Sequence, residues 1–309
     1  MQAVCCISLK DGQETAAPSA SVICLGNFDG VHIAHRELMK KTVALRDKQF
    51  PTAACAAFCF RISSSDYLSS TPIPKLCTLA EKLQYFREMG LEYAFLADFP
   101  SVRDLSPQDF VSRVLQETCH CVGAVCGFNF TFGKYAAGKA AQLSELLQAP
   151  VIIQSEVRMN GARVSSTHIR GLLQEGKMEQ AKQMLLRPYS FQSEVVHGKA
   201  LGQKLGTPTI NQFFPAGLLV PRHGVYVTDC EIDGRIYRGV TNVGLRPTVD
   251  HDTQANCETY LLDFAGDLYG ASVRISFLSF LRPEQAFDSL ASLREQIQRD
   301  VEAARTYSL

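Results

Sequence analysis

Apolar positions along the chain fall into short continuous runs and into longer stretches with helical spacing. Residues 21–25 form a continuous run, which predicts a buried strand. Apolar residues then recur at roughly helical spacing up to Gln49, namely Leu38, Met39, Val43 and Leu45. The segment between them carries residues typical of a tight turn, Gly26, Asn27, Asp29 and Gly30. The pattern therefore predicts a strand, a glycine turn and a helix, in that order.

The rest of the first half repeats this alternation. Apolar runs predict three further strands, at 53–60, 93–97 and 122–125. Two pairs of residues indicate helix starts, Thr78 with Glu81 and Ser106 with Pro107. Alternating strands and helices predict a parallel sheet that is covered on both faces. In such a sheet the glycine turn lies at the carboxyl end of a strand, where ligands bind.

The second half has a different pattern, which begins at Pro188. Short runs separated by turns predict strands at 190–196, 224–232, 235–243, 257–264 and 272–281. Asp233-Gly234 predicts a two-residue hairpin turn. Short strands without intervening helices favour an antiparallel barrel, followed by an amphipathic helix over 286–305. We place the domain boundary near Arg187, which gives an α/β domain at 1–186 and an all-β domain at 187–309.

Composition narrows the classes of partner. The chain has 309 residues, enough for two cores, and 31 Lys plus Arg balance 31 Asp plus Glu. Without a global electrostatic field we expect no nucleic-acid or membrane partner, and any anion site must be local. No signal peptide or membrane-spanning run is apparent, and eleven cysteines are scattered without metal spacing. We therefore expect a cytoplasmic protein with buried free thiols.

The glycine turn places two imidazoles at the start of the predicted helix. His32 and His35 are three residues apart, so their side chains share a face. Free backbone N–H groups and the helix dipole favour a phosphate at this position. Two imidazoles beside a triphosphate can donate hydrogen bonds to oxygens that gain charge in a transition state. The alternatives are a metal-binding pair or two surface histidines without a role.

Two other segments of the first half carry candidate chemistry. Residues 126–134 alternate aromatic and polar side chains, which fits either an ordinary strand or a loop that frames a flat ring. Residues 165–167 are three hydroxyl-bearing side chains that precede a predicted helix. They fit either an ordinary N-cap or a phosphate site to which Arg170 adds a bidentate guanidinium.

The second half concentrates its chemistry in two places. Three glycines spaced four apart permit either a loop around a phosphate chain or a plain flexible loop, namely Gly198, Gly202 and Gly206. Thr209 and Asn211 point to the same side of a strand and offer two oxygen ligands to Mg²⁺ or another divalent cation. Glu258 lies on a predicted strand, either as a solvated side chain or as a general base.

These segments together resemble the bacterial bifunctional flavin enzymes, riboflavin kinase/FAD synthetase. Residues 26–35 resemble the nucleotidyltransferase signature Gly-x-Phe-Asp-Gly-x-His-x-x-His. Residues 127–133 and 165–170 resemble two further segments of the same domain. The resemblance to the kinase domain of these enzymes lies in four segments, 205–211, 224–226, 242–248 and 258–270. The resemblance extends over residues 21–305 in the order of the family.

The resemblance implies a Rossmann-like nucleotidyltransferase domain and a small riboflavin-kinase-like barrel. The barrel would phosphorylate riboflavin to FMN with ATP, with Glu258 as base and Mg²⁺ on Thr209 and Asn211. The first domain would adenylylate FMN to FAD, with catalytic roles for His32, His35 and Arg170. Nucleotide or phosphate contacts would come from Gly26, Phe28, Asp29, Gly30, Ser165, Ser166, Thr167, Gly198, Gly202 and Gly206. The flavin would be framed by Asn129, Phe130 and Phe132.

Most departures from the family pattern fall in the first domain. Ala34 replaces a glycine between the histidines, Asn129 an aspartate and His168 an arginine. Residues 58–63 lack the Phe-x-Pro-His-Pro element. Three hypotheses follow from this distribution. They are a bifunctional enzyme, a riboflavin kinase with an impaired first domain, and a non-catalytic flavin-binding regulator.

Overall fold

A parallel sheet forms the centre of the first half of the chain. The computed structural model describes residues 4–9, 17–62, 67, 71–198, 207–247 and 253–308. The sheet has the order β1-β4-β3-β2-β5-β8, and all its neighbouring strands are parallel. Its strands are β1 (Cys5–Leu9), β2 (Ser21–Leu25), β3 (Ala54–Phe60), β4 (Tyr93–Ala97), β5 (Cys121–Gly127) and β8 (Val151–Gln154).

Helices and short hairpins connect these strands. The hairpins are formed by β6 (Thr131–Phe132) with β7 (Gly138–Lys139) and by β9 (Arg158–Met159) with β10 (Ala162–Arg163). The helices are α1 (Ile33–Gln49), α2 (Leu79–Glu88), α3 (Phe99–Val102), α4 (Pro107–Asp109), a π-helical segment (Phe110–Thr118), a 3₁₀ turn (Lys134–Ala136) and α5 (Ala140–Leu147). The predicted order of strand, glycine turn and helix is confirmed at β2 and α1.

Both faces of the parallel sheet are covered, because successive strand residues point to opposite sides. Val22 and Cys24 lie in one apolar cluster, together with Met39 of α1 and Phe86 of α2. Ile23 and Leu25 lie in the other, which is formed with Phe110, Leu115 and Leu143. All these side chains are at least 94% buried. The predicted α/β architecture is therefore confirmed.

The predicted helix starts follow from local hydrogen bonds. Thr78 Oγ1 accepts the Glu81 N–H at 3.2 Å, and Glu81 Oε2 accepts the Thr78 N–H at 2.9 Å. Ser106 Oγ accepts the Asp109 N–H at 3.0 Å, with Pro107 in the first helical position. These bonds satisfy N–H groups that have no partner within a helix.

An antiparallel sheet forms the second half. Its strands follow the order β11-β16-β13-β14-β15-β12. They are β11 (Tyr189–Glu194), β12 (Thr209–Phe213), β13 (Gly224–Ile232), β14 (Arg235–Pro247), β15 (Thr253–Leu261) and β16 (Ser272–Arg282). The two outer strands meet, since the Val196 N–H donates to the Asn211 carbonyl at 2.8 Å. Gln212 Nε2 also donates to the Ser193 carbonyl at 2.6 Å. The predicted barrel is confirmed.

Local chemistry explains the turn and the interior of this barrel. Asp233 and Gly234 have φ values of 50° and 75°, the conformation of the predicted primed hairpin. Three fully buried hydroxyls cross the interior on neighbouring strands, those of Thr228, Thr241 and Thr259. Successive oxygens in this row are 2.8 Å apart, so the buried hydroxyls satisfy one another.

Among the described residues there are three more helices, α6 (Ser166–Gln174), α7 (Met178–Leu185) and α8 (Leu290–Thr306). The helix α8 begins four residues later than predicted, because Ser289 Oγ accepts the Ser292 N–H at 3.1 Å and caps it there. Leu290, the first residue of α8, is 66% exposed. The guanidinium of Arg282 holds Asp300 of α8 through three contacts of 2.8–3.1 Å.

The contacts divide the chain into two compact units, Met1–Ser166 and Thr167–Leu309. The helix α6 is joined to the second unit by the bond from the Arg222 N–H to the Leu173 carbonyl, at 3.0 Å. The domain boundary near Arg187 stays a prediction. All eleven cysteines are free and nine of them are buried. No helix among the described residues is long and apolar enough to cross a membrane.

The substitution Arg282→Met should destabilise the second unit by about 3 kcal/mol, because it leaves a buried carboxylate unpaired. The side chain of Asp300 is 6% exposed, and that of Arg282 is 18% exposed. Denaturant unfolding measures this change. The matched control is Arg305→Met, which breaks an exposed pair of the same helix with Asp263. We expect no measurable change for the control, and equal stability of the two variants would contradict the account.

Candidate active sites

The glycine turn lies at a switch point of the parallel sheet. Strands β2 and β5 are neighbours, with Leu25 beside Cys126. After β2 the chain continues through α1 into β3, which lies on one side of β2 in the sheet. Strand β5 lies on the other side of β2. Ligands of such sheets bind in the crevice at the carboxyl ends of these two strands. Residues 26–35 and 127–133 follow those two ends, so the sheet brings both predicted segments to one edge.

The turn has an unusual backbone. Phe28, Gly30 and Val31 have φ values of 52°, 78° and 40°. A positive φ is strained for a β-branched residue such as Val31, and strain of this kind is concentrated at functional sites. Phe28 and Val31 are fully buried, so core packing maintains the conformation. A Cβ atom at Gly26 would lie 3.1 Å from the Phe28 ring, which explains the glycine.

A neighbouring segment of the chain stabilises the turn through hydrogen bonds. Asp29 Oδ1 accepts the Leu76 N–H at 2.9 Å, and the Gly30 N–H donates to Cys77 Sγ at 3.3 Å. The carboxylate of Asp29 is 96% buried in this arrangement. Asp29 therefore fixes the shape of the turn. A direct nucleotide contact for Asp29 or for the buried Phe28 stays a prediction.

Two further side chains reach the turn from distant parts of the sequence. Lys82 Nζ donates to the Asn27 carbonyl at 2.9 Å. Ser166 Oγ donates to the Asp29 carbonyl at 2.9 Å. The second bond brings the predicted hydroxyl segment to the glycine turn. Lys82 has no recognisable signature in the sequence, since a lysine after a capping box gives no signal of burial.

The two histidines form a stacked pair. His32 caps α1 instead of lying within its first turn, and its Nδ1 accepts the His35 N–H at 3.4 Å. The ring centroids are 3.6 Å apart with an interplanar angle of 17°. Because Nδ1 of His32 is an acceptor, the proton of the neutral ring is on Nε2. His32 is 3% exposed, which excludes the interpretation of both histidines as surface residues.

The surroundings of His35 favour its uncharged form. Burial, the neighbouring His32 and the ammonium of Lys82 hold the pKa of His35 well below its ordinary value. Its Nδ1 is buried and has no hydrogen-bond partner among the described residues. The neutral imidazole of His35 can donate one N–H to a phosphate oxygen without a proton transfer, and His32 can donate its Nε2–H to another.

The aromatic segment after β5 is a loop. Only Thr131 and Phe132 pair as a strand, so the structure favours the loop interpretation. Phe132 is 5% exposed and stacks on Phe130 at 5.8 Å. Asn129 is exposed. Phe128 lies under the Arg163 guanidinium at 4.9 Å. Flavin contacts of Asn129, Phe130 and Phe132 stay predictions.

The remaining residues of the hydroxyl segment lie near the start of α6. Ser165 precedes this helix, and Thr167 and Arg170 lie on its first turns in the second unit. Their roles in phosphate binding stay predictions. His168, which departs from the family pattern, lies between them.

A row of polar side chains crosses three strands of the barrel. Glu258 on β15 lies opposite Asn211 on β12 and opposite Asn242 on β14. Residues that are directly opposite point to one face of a sheet, with Cβ atoms about 5 Å apart. Thr209 lies on the same face, two residues from Asn211. The register therefore brings the predicted metal ligands and the predicted base together.

Two neighbours of Glu258 were missed by the sequence analysis. Asn256 is 95% buried, and its Nδ2 donates to Glu258 Oε1 at 3.4 Å. Asn242 Nδ2 donates to Glu284 Oε1 at 3.2 Å. A Cβ atom at Gly244 would lie 2.5 Å from the same oxygen, so a larger residue there would displace the Glu284 carboxylate. Asn242 and Glu284 are brought together only by the fold, whereas Asn256 lies two residues from Glu258 on the same strand and therefore shares its face.

The oxygen of Asn211 has the character of an unused ligand. Asn211 is 95% buried, and its Oδ1 accepts no hydrogen bond from a described residue. A Cβ atom at Gly198 would lie 2.3 Å from the Asn211 amide, so only glycine fits over it. Mg²⁺ prefers oxygen ligands, and the hydroxyl of Thr209 is the second one available. The other two glycines of the predicted loop, Gly202 and Gly206, lie outside the described residues.

Two family models match the chain in succession. The model described as FAD synthetase matches residues 14–168, and the model described as riboflavin kinase matches residues 185–308. The first match contains the histidine pair and the second contains Glu258. The order of the two matches agrees with the predicted order of the activities.

Curated relatives match nearly the full chain. A bifunctional riboflavin kinase/FMN adenylyltransferase of Bacillus subtilis is 31% identical, over 93% of this chain and 92% of the relative. A protein of the same description from Pseudomonas fluorescens is 34% identical, over 92% of each chain. The corresponding Escherichia coli protein is 32% identical, over 94% of each.

A solved structure matches as well. The crystal structure titled as a macrolide-efflux protein from Streptococcus pneumoniae is 30% identical, with a TM-score of 0.90 over 99% of this chain and 100% of that one. Of the three hypotheses, the bifunctional enzyme is the one that the family models and the curated relatives support. The chain therefore belongs to the bifunctional riboflavin kinase/FMN adenylyltransferase family, and it is an enzyme that phosphorylates riboflavin to FMN and adenylylates FMN to FAD.

Proposed function

We propose that the polar row around Glu258 is the riboflavin kinase centre and that the turn at 26–35 belongs to the adenylyltransferase centre. The observation that carries the first assignment is the buried Oδ1 of Asn211, which has no hydrogen-bond partner among the described residues and lies on the strand next to that of Glu258. A buried acceptor without a donor costs free energy, and a bound cation removes that cost. The second assignment is supported by the stacked histidines on the strained turn, of which His35 is held in its neutral form.

In the kinase centre, Asn211 and Thr209 would hold a divalent cation, best Mg²⁺, together with the phosphates of ATP. Such a cation neutralises charge on the β- and γ-phosphates. The 5′-hydroxyl oxygen of the ribityl chain attacks the γ-phosphorus, and the bond from that phosphorus to ADP breaks. Glu258 accepts the hydroxyl proton. Asn256 orients the carboxylate for this role through its bond to Oε1.

In the adenylyltransferase centre, a phosphate oxygen of FMN attacks the α-phosphorus of ATP. The bond to the β-phosphate bridging oxygen breaks and pyrophosphate leaves. The attacking group is already an anion, so no general base and no covalent residue are required. The N–H groups of His32 and His35 stabilise the charge that develops on the phosphates. Arg170 adds a guanidinium to the same task.

The other predicted residues are assigned supporting roles. Phosphate contacts come from backbone and hydroxyl groups of Gly26, Phe28, Asp29, Gly30, Ser165, Ser166, Thr167, Gly198, Gly202 and Gly206. Flavin contacts come from Asn129, Phe130 and Phe132. We assign the adenylyltransferase domain to 1–186 and the kinase domain to 187–309. The partners are the small molecules riboflavin, FMN and ATP, without nucleic acid or membrane, and the location is the cytoplasm.

The substitution Glu258→Gln should lower the rate of FMN formation by about 10²–10⁴-fold, because the base is removed. FAD formation from supplied FMN should continue at the wild-type rate. Chromatography of the products measures both rates on the same preparation. The matched control is Glu231→Gln, an exposed carboxylate on β13 of the same barrel. Loss of both activities in Glu258→Gln would contradict the assignment of separate centres.

The substitution Asn211→Ala should raise the Mg²⁺ concentration needed for half-maximal FMN formation by about tenfold or more, since one ligand is lost. Titration of Mg²⁺ at saturating riboflavin measures this shift. The Mg²⁺ dependence of FAD formation from FMN serves as the internal control and should not change. An unchanged Mg²⁺ requirement for the kinase would remove Asn211 from the site.

The substitution His32→Ala should lower the rate of FAD formation by about 10²–10³-fold, the usual effect of removing one donor to developing charge. FMN formation from riboflavin should be unaffected. His120→Ala is the matched control in the same unit, since His120 is exposed. Equal effects of the two substitutions on FAD formation would refute the role of His32.

A further inference from the structure

Lys82 is a buried cation with an incomplete set of partners. Its side chain is on the first turn of α2, and the residue is only 9% exposed. Its Nζ atom donates one hydrogen bond, to the Asn27 carbonyl of the glycine turn at 2.9 Å. It forms no ion pair within the part of the chain that the structure describes. An ammonium carries three N–H donors, so two of them are left for other groups.

A buried ammonium without a counter-charge is costly. Desolvation of a single charge in a protein is compensated when an anion or a set of acceptors lies beside it. A neutral donor would hold the Asn27 carbonyl equally well and would avoid this cost. The positive charge of Lys82 is therefore not explained by its contact in the protein alone, whereas a polyphosphate bound at the turn would supply the missing anion.

The segment that carries Lys82 is already attached to the turn. Leu76 donates to Asp29 and Cys77 accepts from Gly30, six and five residues before Lys82. The capping box at Thr78 then starts α2 and directs Lys82 to Asn27. Three contacts thus fix the distance between the ammonium and the backbone of the turn. The charge is held in place before a ligand arrives, as an efficient electrostatic site requires.

We propose that Lys82 is a positioning residue of the adenylyltransferase centre. It anchors the glycine turn, and its buried positive charge stabilises the triphosphate of ATP that binds at this turn. This inference rests on the assignment of that turn to adenylyl transfer. Lys82 also acts on His35, because a nearby positive charge disfavours a second one. The same ammonium thus attracts the phosphates and keeps the imidazole in its neutral, donating form.

The effect on His35 gives the inference a distinctive pH signature. The groups that lower the pKa of His35 are His32, stacked on it, and Lys82 on α2. The nearby carboxylate of Asp29 is bonded to the Leu76 N–H. Removal of the ammonium should raise the pKa of His35, so His35 becomes protonated at a higher pH. The acidic decline of FAD formation should move to higher pH accordingly.

Two variants separate charge from anchoring. Lys82→Gln removes the charge and keeps an N–H donor for Asn27, whereas Lys82→Met removes both. We expect both variants to lower kcat/KM for ATP in FAD formation by about tenfold or more at neutral pH, and to move the acidic decline to higher pH. Lys40→Gln is the control, since Lys40 lies exposed on α1. Its profile should match that of the wild type.

Product analysis over a pH series gives a result for each case. The acidic decline is taken from the ratio of FAD formation to FMN formation at each pH, so a general loss of folded protein does not move it. FMN formation by the same chain provides the reference for enzyme concentration. The inference is overturned if Lys82→Gln has the wild-type rate and profile while Lys82→Met is impaired, since anchoring alone would then suffice. It is overturned as well if each variant loses the same fraction of the wild-type activity at every pH, because the acidic decline has then not moved.

The proposed function has a separate failure. If His32→Ala leaves FAD formation unchanged, the turn is not the adenylyltransferase centre, whatever Lys82 does. If His32→Ala impairs FAD formation and Lys82→Gln does not, the centre is assigned correctly and only the role of Lys82 is wrong.

Discussion

The strained turn at residues 26–35 is the constraint on which the first unit depends. Its backbone has left-handed conformations at Phe28 and at the β-branched Val31, and both side chains are fully buried. Such a conformation persists only where the surroundings impose it. Here the packing of the core imposes it, and so do the hydrogen bonds between the turn and Leu76, Cys77 and Lys82. As a result of this strained conformation, two stacked imidazoles lie at the start of a helix.

The site residues of the barrel are positioned in a different way. No strained backbone is needed there, because the pairing of three strands already places Asn211, Glu258 and Asn242 side by side. The pleat alone directs these side chains to one face. Two residues further along, the same face enters the apolar cluster beneath α8, through Val240 and Tyr260. The bonds between Arg282 and Asp300 hold that helix, so the site lies at the border of a firmly covered surface.

Local patterns in the sequence predicted the local features of both units. The run at 93–97 became β4, the pair Asp233-Gly234 became the primed hairpin, and Thr78 became a cap, because each depends on neighbouring residues only. The spacing of His32 and His35 predicted a shared face. It placed His32 inside the helix, however, whereas the imidazole caps the helix from outside. A histidine is a rare cap, so its pattern gives no such signal.

The features that escaped prediction depend on contacts between distant residues. Lys82 is 55 residues from Asn27, and Glu284 is 42 residues from Asn242. Neither periodicity nor capping rules relate such pairs, since they arise from the sheet order and the register. The start of α8 was missed for a smaller reason, because Ser289 outweighed the apolar spacing before it. The phosphate and flavin contacts depend on ligands, which no pattern of the chain alone can locate.

The central claim is that one chain makes both flavin nucleotides in two separate centres. Incubation of the wild-type protein with riboflavin, ATP and Mg²⁺, followed by chromatography over time, tests it most directly. The account predicts that FMN appears first and that FAD and pyrophosphate follow as FMN is consumed. Accumulation of FMN without any FAD, or the absence of both products, would contradict it.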